Sequence, residues 1–91
     1  MYYVVYIIEN TLNKSWYIGF TKDLKQRIKD HNSKKSPYTS KLDGKWVLIY
    51  AELYLCKKDA LGREKFLKSG SGRNFIKRQI KNYLENIAMP L

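Results

Sequence analysis

The chain opens with two runs of β-branched and aromatic residues that a short polar stretch separates. The first run spans residues 2–8 and the second spans residues 15–20. Runs of this composition favour strands, and the polar connection between them predicts a β-hairpin. Because an isolated hairpin is only marginally stable in water, the rest of the chain must supply another strand and helices that cover the sheet.

The register of this hairpin decides which side chains share a face. A turn centred between residues 11 and 12 places Tyr6 directly opposite Tyr17 on one face of the sheet. The other face then carries the core-facing side chains, which are Trp16, Ile18 and Phe20. Gly19 weakens a strand, so it indicates either a close approach by another group or a bulge.

An amphipathic helix is predicted next, with Thr21 as its N-cap. One stripe of this helix carries residues at i, i+3, i+4 and i+7, namely Leu24, Arg27, Ile28 and His31. Arg27 and His31 therefore lie beside an apolar seam. Two interpretations stay open: Arg27 extends to solvent while His31 caps the helix end, or both belong to a functional site.

Residues 32–45 are polar and predict a loop, and residues 46–55 predict a third strand that is buried on at least one face. Residues 58–69 then follow a helical pattern in which Glu64 shares a face with apolar residues. A buried carboxylate is costly without a cation, so Glu64 is expected to pair with Arg27, to bind a metal ion, or to do both. Gly62 weakens this helix and suggests close packing against another element.

The last part of the chain predicts a short break and a final helix. Gly70 is expected to end one helix and Ser71 to cap the next, which carries an apolar stripe up to Ile87. The glycines of residues 69–73 either only turn the chain or also present backbone amides to a phosphate.

The charge balance limits the class of partner. Lysine and arginine number eighteen against eight acidic residues, which gives a net charge of +10 over 91 residues. Such a surplus attracts polyanions, and nucleic acid is favoured over an anionic membrane because no long apolar run or lipidation signal is present. The single Cys56 and single His31 exclude an internal disulfide and a Cys/His zinc site. We expect one domain over residues 1–91, located in the cytoplasm.

The ordered set of these residues resembles the GIY-YIG nuclease family. Val4-Val5-Tyr6 and Tyr17-Ile18-Gly19 look like the paired motif that names the family, and residues 22–31 look like the helix that follows it. The resemblance covers nearly the whole chain and is closest to short, stand-alone bacterial members, which are similar to the N-terminal nuclease domain of the UvrC repair subunit. It implies an α+β fold, with a small three-stranded antiparallel sheet flanked by about three helices.

The resemblance also implies roles for individual residues. It assigns the catalytic site to five residues, which are Tyr6, Tyr17, Arg27, His31 and Glu64. Glu64 would hold the family's single divalent metal, Mg²⁺ or Mn²⁺. The first motif has Val4 in place of glycine, and Phe20 stands where repair-type members carry a lysine. A late family asparagine has only the candidates Asn74 and Asn82.

These observations predict a divalent-metal-dependent DNA endonuclease of low sequence specificity or with a preference for DNA structure, acting in repair or recombination. A protein partner could supply specificity, and a further alternative is a small RNA-binding or ribosome-associated basic protein. Arg27 would hold the scissile phosphate, while Tyr6, Tyr17 or His31 activates or orients the water. The predicted nucleic-acid contacts outside the catalytic set are Gly19, Lys22, Lys34, Lys35, Lys41, Arg63 and Arg73. The alternative is a nucleic-acid-binding module that keeps this scaffold without competent catalysis.

Overall fold

The computed structural model describes residues 1–88, with side chains up to residue 86. The strands are β1 (Tyr3–Asn10), β2 (Trp16–Thr21) and β3 (Trp46–Tyr54). The helices are α1 (Leu24–Asn32), α2 (Lys57–Leu67), α3 (Gly70–Gln79) and α4 (Lys81–Ala88), with a 3-10 turn at Thr39–Lys41. All strands are antiparallel in the order β2-β1-β3, which confirms the predicted small α+β fold.

The hairpin of β1 and β2 has a different register from the predicted one. Tyr6 lies opposite Gly19, and Tyr17 lies opposite Ile8, so the two tyrosines are diagonal neighbours on one face. The connection is a four-residue loop centred between residues 12 and 13, and its last residue, Lys14, has a φ of 63°. The prediction that Tyr6 faces Tyr17 directly is therefore wrong by one pair, while the shared face is correct.

β1 is buried on both faces because helices cover both sides of the sheet. On the face toward α1, hereafter the α1 face, Tyr6 and Ile8 pack with Trp46 and with Ile28 of α1. On the opposite face, hereafter the α2 face, the core is formed by Val5, Ile7, Ala60, Leu67 and Ile76. Trp16, Ile18 and Phe20 pack against this second core, as their alternation predicts.

The ends of the helices differ from the predicted ends in three places. Asp23, rather than Thr21, caps α1, and its carboxylate accepts from the Gln26 N–H at 3.1 Å. Ser69, rather than Ser71, caps α3. The predicted final helix is divided at Ile80 into α3 and α4, and the Ile87 side chain lies outside the described residues. Within residues 1–88, each helix is too short or too polar to cross a bilayer.

The glycine that permits close helix packing is Gly72, and the expectation for Gly62 was wrong. A Cβ at Gly72 would meet the carbonyl oxygen of Phe66 and the Cα of Leu67, so α3 begins in direct contact with the end of α2. A Cβ at Gly62 would meet no atom of the described residues within 4 Å, apart from its chain neighbours and the backbone of its own helix.

The two glycines therefore predict opposite effects of the same substitution. Gly72→Ala should lower the free energy of unfolding by about 2 kcal/mol or more, because the overlapping atoms are backbone and cannot turn away. Gly62→Ala should raise it by up to about 1 kcal/mol, because alanine favours the helix. Urea denaturation of both variants checks this; equal effects would contradict the helix contact.

Candidate active site

Tyr6 reaches across the sheet toward α1, and Gly19 makes this possible. Tyr6 lies in the middle of β1 and is fully buried. A Cβ at Gly19 would overlap the Tyr6 ring and hydroxyl, so only glycine lets the ring cross β2 at this point. Of the two interpretations of Gly19, close approach is the one that the structure supports.

His31, near the C-terminal end of α1, is hydrogen-bonded to the Tyr6 hydroxyl. Tyr6 Oη lies 2.7 Å from His31 Nε2, and His31 Nδ1 lies 2.8 Å from Thr39 Oγ1. Burial, followed by the positive charge of Arg27, lowers the pKa of His31 from 6.5 to about 4. The imidazole is therefore neutral near pH 7, with one nitrogen donating and the other accepting.

The neighbours of Tyr6 assign these two roles. The guanidinium of Arg27, which has only N–H donors, is close enough to the Tyr6 hydroxyl to oppose the rise in its pKa, so we assign the Tyr6 proton to the hydrogen bond with His31 Nε2. His31 Nδ1–H then donates to Thr39. Burial and the proximity of Tyr17 raise the pKa of Tyr6 to about 12, although Arg27 opposes this rise. Tyr6 is thus a protonated hydrogen-bond donor at neutral pH.

Arg27 and Tyr17 complete this side of the site. Burial alone would lower the pKa of Arg27, but interactions with the Tyr6 and Tyr17 hydroxyls outweigh it and raise that pKa. Arg27 Nη2 also lies 3.4 Å from Ser36 Oγ. The Tyr17 ring packs edge-on against His31, with centroids 4.9 Å apart. The spacing of Arg27 and His31 on α1 therefore directs both toward the tyrosines of the sheet.

Glu64 lies on α2, which covers the α2 face of the sheet, opposite α1. Its carboxylate lies 3.3 Å from Lys68 Nζ and retains 19% of its side-chain exposure. Its negative charge is close enough to contribute to the raised pKa of Tyr6. Of the two interpretations of Glu64, the ion pair with Arg27 is absent among the described side chains: the cation beside Glu64 is Lys68, one helical turn later.

The donor set limits the kind of metal that the site could hold. Residues 1–88 contain no cluster of three or more His, Cys, Asp or Glu side chains suited to a metal ion. Both His31 nitrogens are already hydrogen-bonded, and among the five predicted catalytic residues Glu64 is the one that carries a carboxylate. Mg²⁺ is commonly held by one or two carboxylates together with water and a substrate phosphate. Glu64 fits this kind of open site and does not fit a closed structural one.

The predicted nucleic-acid contacts occupy different surroundings. The Lys22, Lys35 and Lys41 side chains are exposed, and Lys34 Nζ donates to the Leu42 carbonyl at 2.6 Å. Arg73 lies on the face of Trp16, 4.5 Å from the ring centroid.

The Arg63 side chain forms an ion pair within the fold. Its guanidinium forms a bidentate pair with Glu52 at 2.9 and 3.0 Å, on the α2 face of the sheet. The same carboxylate accepts from Tyr50 and Tyr54. Because Glu52 already neutralises its charge, Arg63 is not among the proposed DNA contacts. Gly19, buried beneath Tyr6, is left out for lack of access.

Sequence reasoning missed three residues that position the site. Thr39 and Ser36 come from the loop between α1 and β3, and both are buried against His31 and Arg27. No local pattern marks them, since hydroxyl residues are common in loops. Lys68 was detectable, because the i,i+4 spacing after Glu64 favours a helical ion pair.

Comparison with known proteins gives one consistent result. The GIY-YIG catalytic domain family matches residues 2–85. The chain is 37% identical over 67 residues to the UPF0213 protein YazA of Bacillus subtilis, a match that covers 74% of this chain and 64% of that protein. It is 34% identical over 73 residues to a UPF0213 protein of Staphylococcus haemolyticus, covering 80% of this chain and 88% of the relative.

A solved structure agrees with this similarity. The solution NMR structure of a UPF0213 protein from Bacillus halodurans superposes with a TM-score of 0.58 at 29% identity. It covers 96% of this chain and 94% of its own. The fold is therefore shared over nearly the whole of both chains, whereas the match to YazA spans just under two thirds of that protein.

The neutral, buried state of His31 predicts its titration. As the chain has one histidine, its imidazole NMR signals are assigned without ambiguity, and their midpoint should lie near pH 4 instead of 6.5. Between these values the unfolded chain binds more protons than the native one. The lowered pKa of His31 therefore makes stability depend on pH. The free energy of unfolding is highest above pH 6.5, and on the order of 3 kcal/mol of it is lost as the pH falls to about 4. A midpoint above 6 would contradict the buried hydrogen-bond chain.

Proposed function

The chain belongs to the GIY-YIG catalytic domain family, and from that premise we propose that it is a divalent-metal-dependent DNA endonuclease. The observation that supports this most is the convergence of an arginine, two tyrosines and a neutral histidine at β2, with Glu64 approaching from the opposite layer. The family consists of endonucleases, so a nucleic acid is the expected substrate.

Arg27 has the properties of a phosphate ligand. It is partly buried, it contacts Ser36, and it interacts with the side chains of Tyr6 and Tyr17. A planar guanidinium in such surroundings can bind two phosphate oxygens and stabilise the charge that develops during phosphodiester hydrolysis. We propose that the scissile phosphate lies at Arg27.

The tyrosines and His31 would handle the attacking water. The Tyr6 hydroxyl donates its proton to the hydrogen bond with His31. Tyr6 can therefore accept a proton from the attacking water only if it transfers its hydroxyl proton to His31 Nε2 at the same time. A pKa of about 4 makes His31 a weak acceptor, and the charge of Arg27 is one cause of that value. A phosphate bound to Arg27 would offset this charge and raise the basicity of His31 when substrate is present. Tyr17, which is less buried than Tyr6, is proposed to orient the water.

Glu64 would hold the divalent cation together with phosphate oxygens and water, after separating from Lys68. Bound there, Mg²⁺ or Mn²⁺ would supply Lewis acidity and stabilise the leaving oxygen.

DNA is the proposed substrate, with low sequence specificity or a preference for DNA structure, in repair or recombination. The net charge of +10 supports binding that is dominated by phosphate contacts. A protein partner would then provide any targeting to particular sites, and RNA is the competing substrate in binding tests.

A second candidate function is a DNA-binding module with little catalysis. It is favoured by the Glu64–Lys68 ion pair, which must open before a metal can bind. It is also favoured by Phe20, which stacks on Tyr3 and occupies the position at which repair-type members of the family carry a lysine. Cleavage assays separate the two functions.

Substitution of Glu64 and Arg27 tests the proposed chemistry. With Mg²⁺ or Mn²⁺, nicking of supercoiled and branched DNA should fall at least about a hundredfold in Glu64→Gln and in Arg27→Ala, because each removes a charge needed in the transition state. Glu64→Gln should keep wild-type DNA affinity in EDTA. Glu85→Gln, which alters an exposed i,i+4 pair on α4, and Arg78→Ala are the matched controls.

Undiminished metal-dependent cutting by Glu64→Gln would overturn the assigned site. Binding by all variants without any cutting would favour the second candidate.

Salt dependence tests how far phosphate contacts dominate. Affinity for duplex DNA should fall steeply between about 50 and 200 mM salt, and Lys35→Ala and Lys41→Ala should each lower the slope of log K against log salt by about 1. Lys81→Ala, whose ammonium already lies 3.8 Å from Glu85, should change the slope least. A flat salt response would argue against a phosphate-dominated interface.

A further inference from the structure

A groove of about 380 Å³ runs along the outer edge of β2, beside the candidate active site. Within residues 1–88, the strand order β2-β1-β3 leaves this edge of the sheet without a neighbouring strand. The groove is lined from both layers of the fold, by Trp16, Tyr17, Ile18, Tyr38, Lys68 and Arg73. It therefore combines aromatic and aliphatic surface with two cations.

Tyr38 is exposed but held in place. Its side chain is 61% exposed, whereas its neighbours Ser36 and Thr39 are 2% and 0% exposed. Those two neighbours bond Arg27 and His31, so the loop is fixed to the active site on both sides of Tyr38. The Tyr38 ring tilts over Tyr17, with centroids 5.4 Å apart. The loop thus presents an aromatic face at a defined position.

The opposite wall is also fixed, by a buried carboxylate. Trp16 Nε1 donates to Glu9 at 2.9 Å, and Glu9 is only 6% exposed. The guanidinium carbon of Arg73 lies over the Trp16 ring, 4.5 Å from its centroid. Among residues 1–86, no carboxylate forms a salt bridge with Arg73, so its N–H groups are available to an anionic ligand.

The groove connects directly to the active site. Tyr17 belongs to both, and Lys68 joins the groove to Glu64 through the 3.3 Å ion pair. A strand with its scissile phosphate between Arg27 and Glu64 would place an adjacent nucleotide in the groove. Its phosphate would meet Lys68 or Arg73, and its base would meet the aromatic walls.

We propose that this groove binds an unpaired nucleotide next to the scissile phosphate, with the base stacked on Tyr38. Base-paired nucleotides keep their faces within the duplex stack, so aromatic side chains serve single-stranded or splayed bases. The inference rests on the proposed function and narrows it: the substrate is DNA with an unpaired strand at the cleavage position, such as a flap or overhang.

The test measures binding in EDTA, so that it does not depend on cleavage. The probes are a fluorescent duplex and the same duplex with a short single-stranded flap that carries 2-aminopurine at the first unpaired position. Wild-type protein should bind the flap about tenfold more tightly and quench the 2-aminopurine. Tyr38→Ala should lose that preference and the quenching, while its duplex affinity stays within about twofold.

Tyr38→Phe keeps the aromatic face and should retain both effects, which separates stacking from the hydroxyl group. Tyr2→Ala removes another exposed tyrosine, outside this groove, and is the matched control. Circular dichroism and the His31 titration report whether Tyr38→Ala keeps the fold and the site.

Equal wild-type affinity for flap and duplex, or equal loss of both in Tyr38→Ala, would overturn the groove assignment. So would tighter binding of a matching RNA flap than of the DNA flap. Cleavage with metal but no flap preference would leave the nuclease standing without this subsite. Flap preference without cleavage would leave the subsite standing and reject the nuclease.

Discussion

The hydrogen bond between Tyr6 Oη and His31 Nε2 fixes the relation between the sheet and α1. It joins the central strand to the last turn of a nine-residue helix, at a distance of 2.7 Å in a buried location. Gly19 is required because the Tyr6 ring crosses it, and Thr39 is required because the second imidazole nitrogen needs a partner when it is buried. The loop before β3 is thereby tied to the same pair, so one interaction orders three separate segments.

Local sequence patterns predict the strands and helices, but they do not predict the register between β1 and β2. Alternation in residues 2–8 and 15–20 gives the strands, and the stripe through Arg27 and His31 gives the helix. The register depends on the turn, where Asn10 Oδ1 accepts from the Leu12 and Asn13 amides at 2.9 and 3.2 Å. That Asx-type turn places the loop at residues 11–14 and Tyr6 opposite Gly19. A choice between equally plausible turns could not be made from composition alone.

The candidate site was predictable where one helix or one strand carries it, and much less so where separate segments meet. Arg27 and His31 share a helical face, so their convergence follows from spacing. Thr39 and Tyr38 reach the site only because a loop folds back, which no periodicity records. Arg63 shows the converse: its sequence context favours nucleic-acid contact, but Glu52 of β3 lies opposite it on the α2 face and pairs with it.

The charged residues of the candidate site are divided between the two faces of the sheet. Arg27 lies on the α1 side of β2, while Glu64 and Lys68 lie on α2, beyond the other face. Two cationic groups and one carboxylate thus flank a neutral tyrosine–histidine pair, and the carboxylate is occupied by the nearer lysine. If a phosphate binds at the outer edge of β2, as proposed above, it would pair with Arg27 and give Lys68 an alternative anionic partner. Freed in this way, Glu64 could take up a cation, so that substrate and metal binding would favour each other.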